Sequence, residues 1–147
     1  QGDVAFAAGI RELRVLKTTD SAFAGFPRDE TTTLPETRDR IFATTVEATW
    51  SYRERPADFG AAFARARRAL LETFATHRSE SVQQTLFAMG ERALDAVAEI
   101  GEIALRLPNQ HHLLVDLAPF GLDNPNAVFV ATSEPYGDIR AVLKRSG

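Results

Sequence analysis

The chain has 147 residues, 44% of them hydrophobic, enough for one domain with its own core and too short for two. A formal net charge of -3 and a sequence pI near 5.6 argue against a nucleic-acid surface built on bulk positive charge, and no apolar run has the length of a membrane-spanning helix. Cysteine is absent, which excludes disulfides and zinc–thiolate sites and agrees with a reducing compartment, the cytoplasm being the expected address. The sequence opens on Gln1 with no signal-peptide pattern, and residues 4–10 read as the end of a structured element, so a fragment or a processed product is expected.

Leu13 and Val15 against Arg14 and Leu16 predict a short strand over 10–17, at least half buried. A polar loop follows over 18–38 with Gly25, Pro27 and Pro35, but it also carries Phe23 and Phe26, so something should hold it. Residues 39–53 alternate, with Phe42, Val46, Ala48, Trp50 and Tyr52 on one face and Thr45, Glu47, Thr49 and Ser51 on the other. This predicts a long antiparallel strand buried on one side, with Arg40 at its start on the Phe42 side. Pro56 ends the strand and Asp58 caps a helix whose stripe of Phe59, Phe63, Ala66, Leu70 and Phe74 runs to about His77. A second helix starts at a capping box, Ser81 with Gln84, and buries Val82, Leu86, Met89, Ala93 and Val97. Alternation resumes at Ile103, Leu105 and Leu107, and again at Leu113, Val115 and Leu117, predicting two more strands. Residues 126–144 read as an edge strand. The order strand–strand–helix–helix–strand–strand predicts an α+β fold, an antiparallel sheet with both helices on one face. Its other face and its open edges predict association with a like domain.

Chemistry concentrates at Leu107-Pro108-Asn109-Gln110-His111-His112, in a chain with three histidines. Side chains two apart on an extended chain share a face, so Asn109 and His111 look into one site and His112 looks away. Alone, the pair reads first as a strand start with two ordinary polar residues, since a lone His is more often structural than catalytic, and it needs partners. Arg40 offers a planar five-donor fork that reads a carbonyl or anion edge at two points, its plain alternative being a surface salt bridge. Phe23 presents a flat ring on which a heterocycle stacks, or else anchors its loop. The first turn of the second helix, at Val82 and Gln83, carries unpaired N–H groups and the positive end of the dipole, although most helix starts bind only water. The Gln83 amide both donates and accepts. Together these residues match a planar, anionic, nitrogen-rich ligand, a purine or a pterin. No metal is expected, because His111 and His112 point apart and His77 lies at a helix end. A serine triad from Ser81 and His111 lacks a nucleophile elbow.

The runs Leu16-Lys17-Thr18-Thr19, Phe23-Ala24-Gly25-Phe26, Arg28-Asp29, Thr32-Thr33-Leu34-Pro35-Glu36 and Asp39-Arg40-Ile41-Phe42-Ala43-Thr44 resemble the second half of urate oxidase (uricase). So do Ser81-Val82-Gln83, the motif from Leu107 to His112, and Phe129 through Pro135-Tyr136-Gly137, so the resemblance spans nearly the whole chain in order. It implies one T-fold over residues 1–147, the second of two in a subunit. It also implies sheets paired into a barrel and a homotetramer of full subunits. The implied activity is oxidation of urate by O2 and water to 5-hydroxyisourate and H2O2, with no metal or organic cofactor and no nucleic-acid or membrane partner.

Carried over position by position, the resemblance implies that Phe23 stacks on the purine and Arg40 clamps its pyrimidine-side carbonyl and nitrogen. Val82 supplies a backbone N–H and Gln83 its amide. Asn109 holds water or dioxygen over the ring, and His111 joins a proton relay with a Lys–Thr pair. That pair, and a Thr–Asp that reads the other edge of urate, belong to the family's first half, which this sequence lacks. The partner implied is therefore an N-terminal T-fold half, and the chain alone is expected to be inactive. Lys17 lies in a second-half motif and is not the relay lysine. Thr31 and Gln110 depart from the family's usual aromatic and lysine, away from the site positions. The ending Arg145-Ser146-Gly147 lacks the peroxisomal tripeptide, which implies a bacterial-type, cytoplasmic enzyme. Two other readings remain at this point, another T-fold enzyme acting on a pterin and a non-catalytic purine-binding or scaffolding T-fold.

Overall fold

Strand β1 (Phe6–Lys17) changes parity part-way: Phe6, Ala8 and Ile10 are half buried in its first part, Leu13 and Val15 in its second. A bulge reconciles them. The register with the next strand shifts between Ile10 and Leu13, and Glu12 takes φ +56°, so the extra residue brings both sets onto the face that carries the core. The strand is longer than the alternation over 10–17 predicts, because Ala7, Ala8 and Gly9 carry little strand propensity and hold their place by pairing with Thr49, Trp50 and Ser51. The structure is a computed structural model that describes residues 4–25, 27–32, 36–38, 40–134 and 136–146. Phe26, Pro35, Asp39, Pro135 and the chain ends, all used in the sequence reading, lie outside the described residues.

Strand β2 (Phe42–Tyr52) realises the predicted one-sided burial. Phe42, Val46, Ala48 and Trp50 are buried, whereas Thr49 and Ser51 are exposed. Helix α1 (Phe59–Thr76) starts where Asp58 accepts from the Ala61 N–H and ends at His77, as read from the sequence. Its inward stripe uses small residues as well as large ones, Ala62, Ala66 and Ala69 with Leu70 and Phe74, which lets the helix lie close to the sheet. Helix α2 (Val82–Ala96) is capped by Ser81 Oγ, which accepts from the Gln84 N–H. The Gln84 side chain accepts from the Glu80 N–H, one residue before the cap, a variation on the reciprocal box. At the other end Arg145 donates to the carbonyls of Leu94 and Val97, placing a cation at the helix C-terminus.

Strand β3 (Ile100–Gln110) buries Ile103, Leu105 and Leu107, and strand β6 (Gly137–Lys144) pairs along it at the sheet edge, so the edge strand expected over 126–144 is met only in its last part. Among the described residues, four strands form one antiparallel sheet in the order β1-β2-β3-β6, with both helices packed on one face. Fully buried Trp50, Phe42, Leu70 and Ile103 each contribute about 1.5–3 kcal/mol. The opposite face carries polar side chains, including Arg106 between Glu47 and Asp138 at 3.1 and 2.8 Å.

One expectation is corrected. The strand predicted from Leu113, Val115 and Leu117 is not part of this sheet. Strand β4 (His112–Leu114) leaves it and pairs with β5 (Phe129–Ala131) as a separate ribbon. Leu113 and Leu114 are both exposed, since neither face of the ribbon meets the core. Beyond it, Asp116 accepts from the Ala118 N–H and Pro119 stands in a short 3-10 turn, which ends the extended run.

Candidate functional site

Phe23, Arg40, Asn109 and His111 line one cavity of about 420 Å³ at the end of the sheet where β2 begins and β3 ends, a volume suited to a small planar ligand. Its floor is a loop held on both sides. Phe23 and Thr37 exchange backbone hydrogen bonds of 2.7 and 3.0 Å, Ala22 N–H donates to Ser79, and Ala24 N–H to Glu80. The aromatic-bearing loop is thus anchored as the sequence required.

Arg40 precedes β2 and is positioned by three contacts. Its backbone N–H donates to Ser21 O, its Nε to Ala22 O at 2.9 Å, and its Nη1 to Asn109 Oδ1 at 3.4 Å. The guanidinium lies 5.2 Å from the Phe42 ring centroid and 6.0 Å from that of Phe23, between two aromatic rings. Burial lowers its pKa from the ordinary guanidinium value without removing the charge. Its Nη2 is buried and has no acceptor among the described residues. A desolvated cation with donor capacity to spare favours an anionic or carbonyl-bearing ligand.

The structure brings Asn109 and His111 to one cavity, but the parity argument does not hold strictly there, because His112 and Leu114 line it as well. Asn109, His111 and Leu113 line this cavity, and Pro108, Gln110 and His112 line a larger one, about 740 Å³, that includes Thr45, Glu47 and Arg106. His112 stands at the border and touches both, so its separation from His111 is incomplete. Thr132 holds the His111 backbone, donating to its carbonyl through both N–H and Oγ1. The imidazole makes no hydrogen bond to the described residues.

Val82 and Gln83 are not among the residues lining this cavity. Val82 is buried and Gln83 exposed, and both follow, after the cap Ser81, on the Ser79–Glu80 stretch that accepts from Ala22 and Ala24. The sequence reading missed the wall supplied by the ribbon and the loop that connects its strands, Leu113, Leu114, Asn126 and Phe129. Adjacent leucines at 113 and 114, apolar on both strand faces, were the signal that this segment serves a different surface. Among the described residues no three His, Asp or Glu side chains converge on a metal position.

The family model for uricase matches residues 6–140. The chain belongs to the uricase family. The uricase of Arthrobacter globiformis is 52% identical over 143 residues, 97% of this chain and 47% of that protein. That of Dictyostelium discoideum is 38% identical over 139 residues, 95% of this chain and 48% of its own. The crystal structure of the Arthrobacter globiformis uricase matches with a TM-score of 0.94 over 97% of this chain and 50% of that one. A urate oxidase structure from Bacillus sp. TB-90, 23% identical, has a TM-score of 0.80 over 95% of this chain and 47% of that one, and shows the shared fold. The antiparallel sheet with two helices is the uricase T-fold. The chain spans about half the length of the curated uricases it matches.

Proposed function

We propose that this chain is the C-terminal T-fold half of a urate oxidase. In this reading it supplies one wall of a site where urate reacts with O2 and water to give 5-hydroxyisourate and H2O2. The convergence of Phe23, Arg40, Asn109 and His111 on one small cavity carries the reading. Arg40, desolvated and with Nη2 unengaged, clamps the pyrimidine-side carbonyl and ring nitrogen of urate while Phe23 stacks on the purine. The Asn109 amide turns its oxygen to Arg40, which leaves Nδ2 to hold water or dioxygen above the ring.

His111 serves as a proton-relay member through an imidazole that the described residues leave unengaged, its partner a Lys–Thr pair on another T-fold. The Val82 N–H and the Gln83 amide meet the same ligand from the first turn of α2, where N–H groups lack intrahelical acceptors. The reading uses no metal or organic cofactor. The uncovered polar face of the sheet and its edges β1 and β6 pair with further T-folds, the N-terminal half first, in a barrel and then a tetramer.

The test is loss of urate absorbance with this chain alone and with an N-terminal uricase half added. Turnover only in the mixture is expected. Robust turnover by the chain alone refutes the divided site, and urate binding without turnover in the mixture leaves a purine-binding T-fold.

A further inference from the structure

Lys17 closes β1, is only 8% exposed, and belongs to none of the roles above. Its Nζ donates to the carbonyl of His77, the residue that ends α1. The ammonium also lies 5.6 Å from the centroid of Phe74, whose ring sits 5.0 Å from Phe42, the ring under the Arg40 guanidinium. His77 is held a second time, by its Nδ1 at 3.3 Å from Oγ1 of the buried Thr85 on α2. The short linker that begins at His77 then runs beside the loop carrying Phe23. Ser79 N–H donates to Asp20 O, Ala22 N–H to Ser79 O, and Ala24 N–H to Glu80 O. The linker ends at Ser81, the cap of α2.

We propose that Lys17 is a positioning residue. Held on the His77 carbonyl, its buried ammonium sets where the α1–α2 linker lies against the Ser21–Ala24 segment. It thereby fixes the spacing between Arg40 with Phe23 on one side and the first turn of α2 on the other. This rests on the proposed urate site, in which both sides meet one ligand. A buried ammonium is a costly way to fill a core position, since an apolar side chain of similar length packs there without the desolvation penalty. Burial lowers the Lys17 pKa and the Arg40 charge adds to this, with Asp20 opposing. What the ammonium supplies that a methionine does not is a directed, charge-assisted bond to the carbonyl of His77, the residue at which β1, α1 and α2 meet.

The experiment uses the complete two-half enzyme and compares wild type with Lys17→Met. Urate affinity is measured without oxygen, turnover with it, and amide hydrogen exchange at Ala22 and Ala24 in both states. Lys17→Met is expected to weaken anaerobic urate binding about tenfold, to leave kcat within about twofold, and to speed exchange at Ala22 and Ala24 about tenfold. A folded variant with unchanged affinity or unchanged exchange at these amides overturns the proposal, as does a fall in kcat with affinity intact. If wild type binds no urate, the urate reading fails, and exchange at Ala22 and Ala24 still decides the role of Lys17. Should Lys17→Met not fold, Thr85→Val carries the test. It removes the other hold on His77 without changing side-chain shape, and faster exchange at the same amides is expected.

Discussion

Arg40 Nη1 donates to Asn109 Oδ1 across 3.4 Å, joining a residue two positions before β2 to the end of β3, 69 positions later in the chain. The bond orients both groups before any ligand enters. In the assembled enzyme Arg40→Lys keeps the charge and loses the planar fork. Urate binding is expected to weaken about ten- to a hundredfold, read as a rise in the anaerobic Kd, with Arg40→Ala at least as severe. Wild-type affinity in Arg40→Lys would remove the clamp.

His111→Ala should act on rate. Its imidazole lines the cavity and is held through its backbone by Thr132, so truncation leaves the cavity walls in place. A fall in kcat of about 10²–10⁴ with urate Kd changed little is expected in the assembled enzyme. A rise in Kd with kcat intact would make His111 a binding residue.

Asn124 ties off the loop between β4 and β5 with four bonds, donating to the carbonyls of Val115 and Val128 and accepting from the N–H groups of Ala127 and Val128. Asn124→Ala should loosen the ribbon by about 1–3 kcal/mol, read as faster amide exchange at Val115. KM for urate should rise with it, because Asn126 and Phe129 line the cavity.

Gly9 sits in β1 opposite Thr49, and a Cβ there would meet Ala48 O at 2.5 Å. A backbone oxygen in a paired strand has nowhere to go. Gly9→Ala is expected to destabilise the chain by about 1–3 kcal/mol, seen as a lower Tm. An unchanged Tm would mean the two strands separate freely there.

His77 has its pKa lowered from 6.5, by burial first and the Lys17 charge second. The folded state therefore resists protonation more than the unfolded chain does. As pH falls through about 6.5 the unfolded state takes up the proton first, and stability declines until the folded-state pKa is passed. The loss of Tm between about pH 7 and pH 5 should be smaller in His77→Gln than in wild type. An identical decline in both would place the pH sensitivity elsewhere.

Much of this was legible in the residues. Asp58 and Ser81 marked both helix starts, because a cap is a bond between near neighbours. Period-two burial marked β2 and β3, and alternation at the end of β3 separated Asn109 from Gln110, with His111 just beyond the strand on the Asn109 side. The β1 bulge was not visible, since a one-residue parity change at Arg11-Glu12, after a run of small residues, looks like the strand's end. Nor was the ribbon: alternation at Leu113, Val115 and Leu117 reports a tendency to extend without naming the partner, and the partner is β5.

The sequence by itself determined both helices, the long central strands, the family and the residue types the site would use. Each of these follows from spacing within a few positions or from ordered motifs. Only the tertiary structure decided that Phe23, Arg40, Asn109 and His111 enclose one cavity, that Leu114 and Phe129 wall it, and that Lys17 reaches the end of α1. Those contacts join residues tens of positions apart. Local periodicity specifies which side of an element is buried, and the packing of whole elements specifies what that side meets.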